Sequence, residues 1–135
     1  YTVKKLDAGT LYKFKVQAYG KSDLGAVLST GSAFVEVRTK MQAPAINSLV
    51  SSSKGKAVIK WNNINGETGY QVYYSTSKNG TYKKYKSYTD GKCSATVSGL
   101  KSGKTYYFKV RAYYKQSGKS TVYSGFGSVR SIKIK

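Results

Sequence analysis

Apolar and polar side chains alternate at a spacing of two along most of this chain, and no segment sustains a helical spacing. Tyr106, Phe108, Val110 and Ala112 alternate with Tyr107, Lys109, Arg111 and Tyr113. Tyr70, Val72 and Tyr74 alternate with Gln71, Tyr73 and Ser75, and Ala57, Ile59 and Trp61 with Val58 and Lys60. Neighbours on a strand point to opposite faces, so each set puts one face in a core and the other in water. Asn65-Gly66, Asn79-Gly80 and Asp90-Gly91, with the weaker Ser102-Gly103, break the alternation where residues that tolerate positive φ favour turns. This rhythm predicts seven antiparallel strands near 45–50, 55–61, 69–76, 81–88, 94–98, 104–115 and 120–134, the last bent around Gly125-Phe126-Gly127. Short strands at such intervals suit a two-sheet sandwich.

The chain also repeats itself. Thr2, Val3, Leu6, Gly9, Tyr12, Phe14, Lys15, Val16, Ala18 and Tyr19 recur 94 positions later, ending with Ala112 and Tyr113. A period of that length fits whole tandem domains, since solenoid repeats run to about 20–50 residues. Residues 1–40 therefore read as the back end of one sandwich, 41–44 as a linker containing the only proline, Pro44, and 45–135 as a complete sandwich. Three strands lacking the rest of their sandwich would leave Tyr12, Phe14, Val16 and Phe34 exposing apolar surface.

Three features carry a resemblance to a known family: Trp61 on the second strand, Gly69-Tyr70-x-Val72-x-Tyr74 on the third, and Leu100-x-x-Gly103-x-x-Tyr106-x-Phe108-x-Val110-x-Ala112. Together they resemble the fibronectin type III domains, over all of 43–135 and over the last three strands' worth of 1–40. The resemblance implies an all-β, immunoglobulin-like seven-stranded antiparallel sandwich preceded by a partial, three-strand copy. It also implies a tyrosine corner, in which the Tyr106 hydroxyl pins the backbone just upstream, with Leu100 and Gly103 as its partners and Tyr12 in the same part of the first copy. Trp61 and Tyr70 are then core residues. The stretch from Tyr74 to Tyr82 is similar to such domains in Gram-positive bacterial secreted and surface proteins, which implies an extracellular, secreted or cell-wall-attached bacterial protein. No Arg-Gly-Asp sequence occurs, so the integrin binding of some animal relatives is not implied.

The inventory of reactive groups is nearly empty. With no histidine there is no ordinary imidazole base and no zinc–histidine site, and Cys93 stands alone without a disulfide partner. Of the acids Asp7, Asp23, Glu36, Glu67 and Asp90, four sit in or beside expected turns and none shares a motif, which speaks against a carboxylate pair, and no two lie close enough in sequence for a calcium loop. No enzyme, metal or cofactor is expected. Apolar runs are too short to span a membrane. No leader or anchor motif is visible, and the chain reads as starting inside a longer protein, so nothing follows from that.

The net charge of +19 is what remains to be explained, since a small domain needs only about 2–8 charges for solubility. Tyr73, Tyr107, Lys109, Arg111, Tyr113 and Lys84 fall on outward positions of neighbouring strands, so rings and cations share one face. Two readings stay open. Either the face is self-satisfied by cross-strand ring–cation pairs, and the protein is a spacer or presentation module whose partners are the other domains of its own chain. Or it is an adhesion module, its rings stacking on cell-wall or host glycans, or on a host surface protein, while lysines meet anionic groups. Ring geometry separates the two: a binding platform needs tyrosines in an open row, not folded over lysine stems. Nucleic acid is disfavoured, because lysines scattered over many strands with few arginines give diffuse attraction rather than readout.

Overall fold

The computed structural model describes every residue except Leu24 and Asp90, so the Asp90 position of the Asp90-Gly91 turn lies outside the described residues. Twelve strands are described: β1 (Leu11–Phe14), β2 (Tyr19–Ser22), β3 (Gly25–Leu28), β4 (Val35–Arg38), β5 (Ile46–Val50), β6 (Ala57–Trp61), β7 (Gly69–Ser75), β8 (Lys83–Thr89), β9 (Ser94–Val97), β10 (Thr105–Tyr114), β11 (Val122–Tyr123) and β12 (Arg130–Lys133). Among the described residues no helix is long and apolar enough to cross a membrane.

Strands β5 to β12 build a sandwich. One sheet runs β5-β6-β9, the other β11-β10-β7-β8 with β12 also on β10, and every ladder is antiparallel. The alternation places the core as expected: Ala57, Ile59 and Trp61 from β6, Tyr70 and Val72 from β7, Val97 from β9, and Tyr106, Phe108, Val110 and Ala112 from β10 are all buried. Each large apolar side chain so buried contributes about 1.5–3 kcal/mol. Trp61 packs on Tyr70 at 5.5 Å and on Tyr88 at 6.0 Å between ring centroids. The Tyr70 hydroxyl accepts from the Ile64 amide at 2.7 Å and donates to Asn63 Oδ1 at 2.7 Å, fixing the chain that leaves β6. At the open side, the Tyr85 hydroxyl ties β8 to the end of β9, accepting from the Ser98 amide at 3.3 Å and donating to the Thr96 carbonyl at 3.4 Å.

The expected last strand is split. Between β11 and β12 the chain stays bonded to β10 through Ser124 N to Ala112 O (3.0 Å) and Gly127 N to Val110 O (2.9 Å), but off the regular ladder. Gly127 lies so close to the Pro44 backbone that an added Cβ would sit 1.7 Å from the Pro44 carbonyl oxygen, so only glycine passes there. The detour turns Phe126 outward.

Residues 11–38 form two ladders, β1 with β4 and β2 with β3, so the N-terminal part has four short strands where three were expected. Their registers parallel those of the sandwich: Tyr12 faces Val37 as Tyr106 faces Ile132, and Tyr19 faces Leu28 as Tyr113 faces Tyr123. Thr2 and Val3 are in no strand, whereas their repeats Thr96 and Val97 pair with β6. Among the described residues no strand equivalent to β6 lies beside them, so their amides have no ladder to join. Val16 and Phe34 are exposed, while Tyr12 and Phe14 are half-buried with ring centroids 6.2 Å apart. Lys13 and Glu36, facing each other across β1 and β4, form an exposed ion pair at 3.1 Å.

Candidate interaction face

The outward face of the larger sheet gathers aromatic and cationic side chains into one cluster. The register of β10 on β7 sets Lys109 opposite Tyr73 and Arg111 opposite Gln71. Arg111 donates from Nε to Gln71 Oε1 at 3.0 Å and from Nη2 to the Tyr73 hydroxyl at 2.9 Å, and that hydroxyl donates to Gln71 Oε1 at 3.1 Å. The Gln71 amide completes the set with Ser87 Oγ on β8 at 3.4 Å. One guanidinium, whose fixed fork reaches two acceptors at once, thus stitches β10 to β7, and Gln71 carries the network on to β8.

Around this network, rings and cations alternate. Lys109 Nζ lies 4.1 Å from the Tyr82 ring and 4.2 Å from that of Phe126. The Arg111 guanidinium lies 5.1 Å from Phe126 and 3.9 Å from Tyr123. The order is ring, cation, ring, cation, ring: Tyr82, Lys109, Phe126, Arg111, Tyr123. Tyr73 meets the Phe126 ring edge-on at 5.0 Å and 86°. Each such cation–ring contact contributes about 0.5–1 kcal/mol at an exposed site. Burial raises the hydroxyl pKa of Tyr82, with Tyr107 nearby adding to the effect.

Of the residues singled out from the sequence, Tyr73, Lys109 and Arg111 meet in this cluster. Tyr107 lies half-buried beside Tyr82. Tyr113 is on the same face but buried, its ring 6.5 Å from Tyr123 and close against Gly69. Lys84 is exposed and takes no part. Gln71 and Tyr82, from stretches that the sequence also places on this outward surface, join them, and Phe126 and Tyr123, which were not singled out, complete the cluster. Only the Gly-Phe-Gly bracket around Phe126 marks it in the sequence, since a large apolar residue between two glycines can be thrown to either face.

Upstream of β10, the Lys101 amide donates to the Tyr106 hydroxyl at 3.1 Å, Leu100 is buried, and the Gly103 amide donates to the Ile134 carbonyl at 2.8 Å. The Asp7 amide makes the same bond to the Tyr12 hydroxyl at 2.9 Å. A shallow groove between the outer edges of β8 and β9 is lined by Lys60, Lys86 and Lys92 with Tyr85 and Tyr88. Among the described residues no three His, Cys, Asp or Glu come together to hold a metal.

Two antiparallel sheets packed face to face, with this strand order and this core, define an immunoglobulin-like β-sandwich. Residues 42–125 match the fibronectin type III domain family, and the chain belongs to it. Among solved structures it is similar to a fibronectin type III-like protein from Clostridium thermocellum, at 26% identity and a TM-score of 0.54 over 70% of this chain and 96% of that one. It is also similar to a β-1,2-glucanase from Parabacteroides distasonis at 20% identity and a TM-score of 0.58, where it covers 70% of this chain but only 12% of the glucanase. A myokine structure matches at 16% identity and a TM-score of 0.55, over 69% of this chain and 96% of that one. The likenesses at 20% and 16% show the fold alone.

Proposed function

We propose that this chain is a non-catalytic structural module, a spacer or presentation domain of a bacterial secreted or cell-surface protein. Residues 45–135 form its complete sandwich, 41–44 the junction, and 1–40 the back end of a preceding sandwich. The observation that carries the reading is the ring–cation ladder. On this face rings and cations pair with each other, with Arg111 held by two hydrogen bonds and Lys109 set between two rings. Side chains already bonded within the protein would lose those contacts on meeting a ligand, which lowers their net worth as a binding surface. The 94-residue repeat and the small share of the glucanase that this shape covers both fit a module strung within a longer chain.

One observation favours the second reading, adhesion to glycans or anionic polymers. Tyr123 and Phe126 remain 42% and 37% exposed, leaving part of each ring open to a sugar. Retention of the 135-residue chain on cell-wall preparations and immobilised glycans, across a salt series, separates the two. The spacer reading expects weak retention that vanishes by physiological salt and is unchanged in a Tyr73→Ala/Tyr107→Ala variant. Retention that survives high salt and disappears in that variant establishes the adhesion reading.

A further inference from the structure

The place where residues 1–40 meet the sandwich is built as a joint. The turn at Ala8 and Gly9 abuts the turn at Asn65 and Gly66 between β6 and β7. A Cβ added to Gly9 would lie 2.3 Å from the Asn65 carbonyl oxygen, and one added to Gly66 would lie 2.2 Å from the Gly9 carbonyl oxygen. Both glycines also hold positive φ, +70° and +74°. The two turns thus interlock backbone against backbone, at a distance no side chain permits.

Three further contacts fasten them. Arg38, the last residue of β4, donates from Nη1 to the Gly9 carbonyl. The same guanidinium lies 3.7 Å over the ring of Tyr114, the last residue of β10. Met41 is buried in the sandwich core with its Cγ 3.3 Å from the Gly9 Cβ position, and Pro44 is fully buried. A flexible linker would be solvated and polar; this one is anchored at both ends.

We infer that the Asn65-Gly66 turn and Tyr114 form a docking socket, and that its partner is the turn-and-cation end of another sandwich of this kind. Residues 1–40 supply that end here, through Gly9 and Arg38, and are held as one rigid body with the sandwich. The complete sandwich carries the matching residues at its own far end. Gly103, the repeat of Gly9, holds φ +77° with nothing within 4 Å of its Cβ position, and Lys133 faces Thr105 as Arg38 faces Leu11. Socket at one end and plug at the other make a head-to-tail joint that extends rather than closes. The joint deepens the spacer reading, because a spacer sets distances only if its joints are stiff, and it rests on that reading for its purpose though not for its test.

Nitrogen-15 relaxation on the 135-residue chain tests it. One rotational correlation time shared by the amides of β1 and β4 with those of β6 and β10 is expected. A distinctly shorter time for residues 11–38 in the wild type overturns the inference. Arg38→Gln combined with Tyr114→Leu leaves both turns intact, and is expected to abolish the shared time while leaving the β6 and β9 amide shifts in place. A shared time that persists in the double variant also overturns the inference, since these contacts then do not hold the joint. Specific glycan retention at the ring–cation face would refute the spacer reading without altering any of these outcomes.

Discussion

Replacing Arg111 with lysine isolates what the guanidinium does on the outward face. Charge and stem are kept, so solubility and Coulomb effects hardly change, but an ammonium cannot serve Gln71 Oε1 and the Tyr73 hydroxyl while stacking on Tyr123. A hydrogen bond to a charged group contributes about 1.5–3 kcal/mol. Arg111 is half-buried, so water replaces part of what is lost on its exposed side. Gln71, only 8% exposed, is poorly placed to recover its lost donor from water. The net destabilisation expected is about 1–2 kcal/mol, and each kcal/mol lowers Tm by about 4–8 °C in a domain of this size. Urea unfolding followed by the fluorescence of the buried, single Trp61 reads this directly, with an unchanged slope against denaturant. A change within about 0.5 kcal/mol, as for an ordinary surface substitution, would refute the claim that this network stitches the sheet.

Other outcomes follow from single contacts. Tyr106→Phe strands the Lys101 amide and is expected to cost about 1–3 kcal/mol in the same assay, whereas Tyr12→Phe, whose bond is exposed, costs less; equal losses would contradict the difference in burial. Phe108→Ala empties a fully buried site and is expected to cost about 3–5 kcal/mol, so a folded variant with near wild-type stability would contradict the core assignment. Burial raises the hydroxyl pKa of Tyr70, Tyr82 and Tyr88 above the usual 10.0, so the folded state holds these protons more tightly. Their contribution is fully present below pH 10 and is lost as pH rises through the raised folded values. Thermal unfolding measured from neutral pH upward should therefore show Tm falling above pH 10, and a flat profile would count against that burial.

The sandwich was legible in the sequence because period-two alternation and burial have one cause. Ile59, Val72, Phe108 and Val110 are buried because each sits on the inward parity of its strand. The Asn65-Gly66 turn was legible for the same local reason, its glycine holding φ +74°. The split of the last strand was not, since it comes from Gly127 pressing on Pro44, a contact between segments far apart in sequence. The composition of the outward face depended on that split. Parity alone places Tyr73, Lys109 and Arg111 together, but it says nothing of Phe126, which reaches them through the irregular chain, or of Tyr82 in the loop before β8. The joint was equally hidden: Gly9 reads as a turn residue by itself, and only three-dimensional proximity to Gly66 shows why no side chain fits there.

The central claim is that the ring–cation face is internal structure rather than a ligand site. Amide and side-chain NMR shifts of the labelled chain, followed during titration with neutral β-glucan and with sulfated oligosaccharides at physiological salt, test it most directly. The account predicts small, unsaturating shifts spread over the lysine-bearing strands with sulfated ligands and none with neutral ones. Saturable shifts confined to Tyr73, Lys109, Arg111, Tyr123 and Phe126 would contradict it and make this face the binding site of an adhesion module.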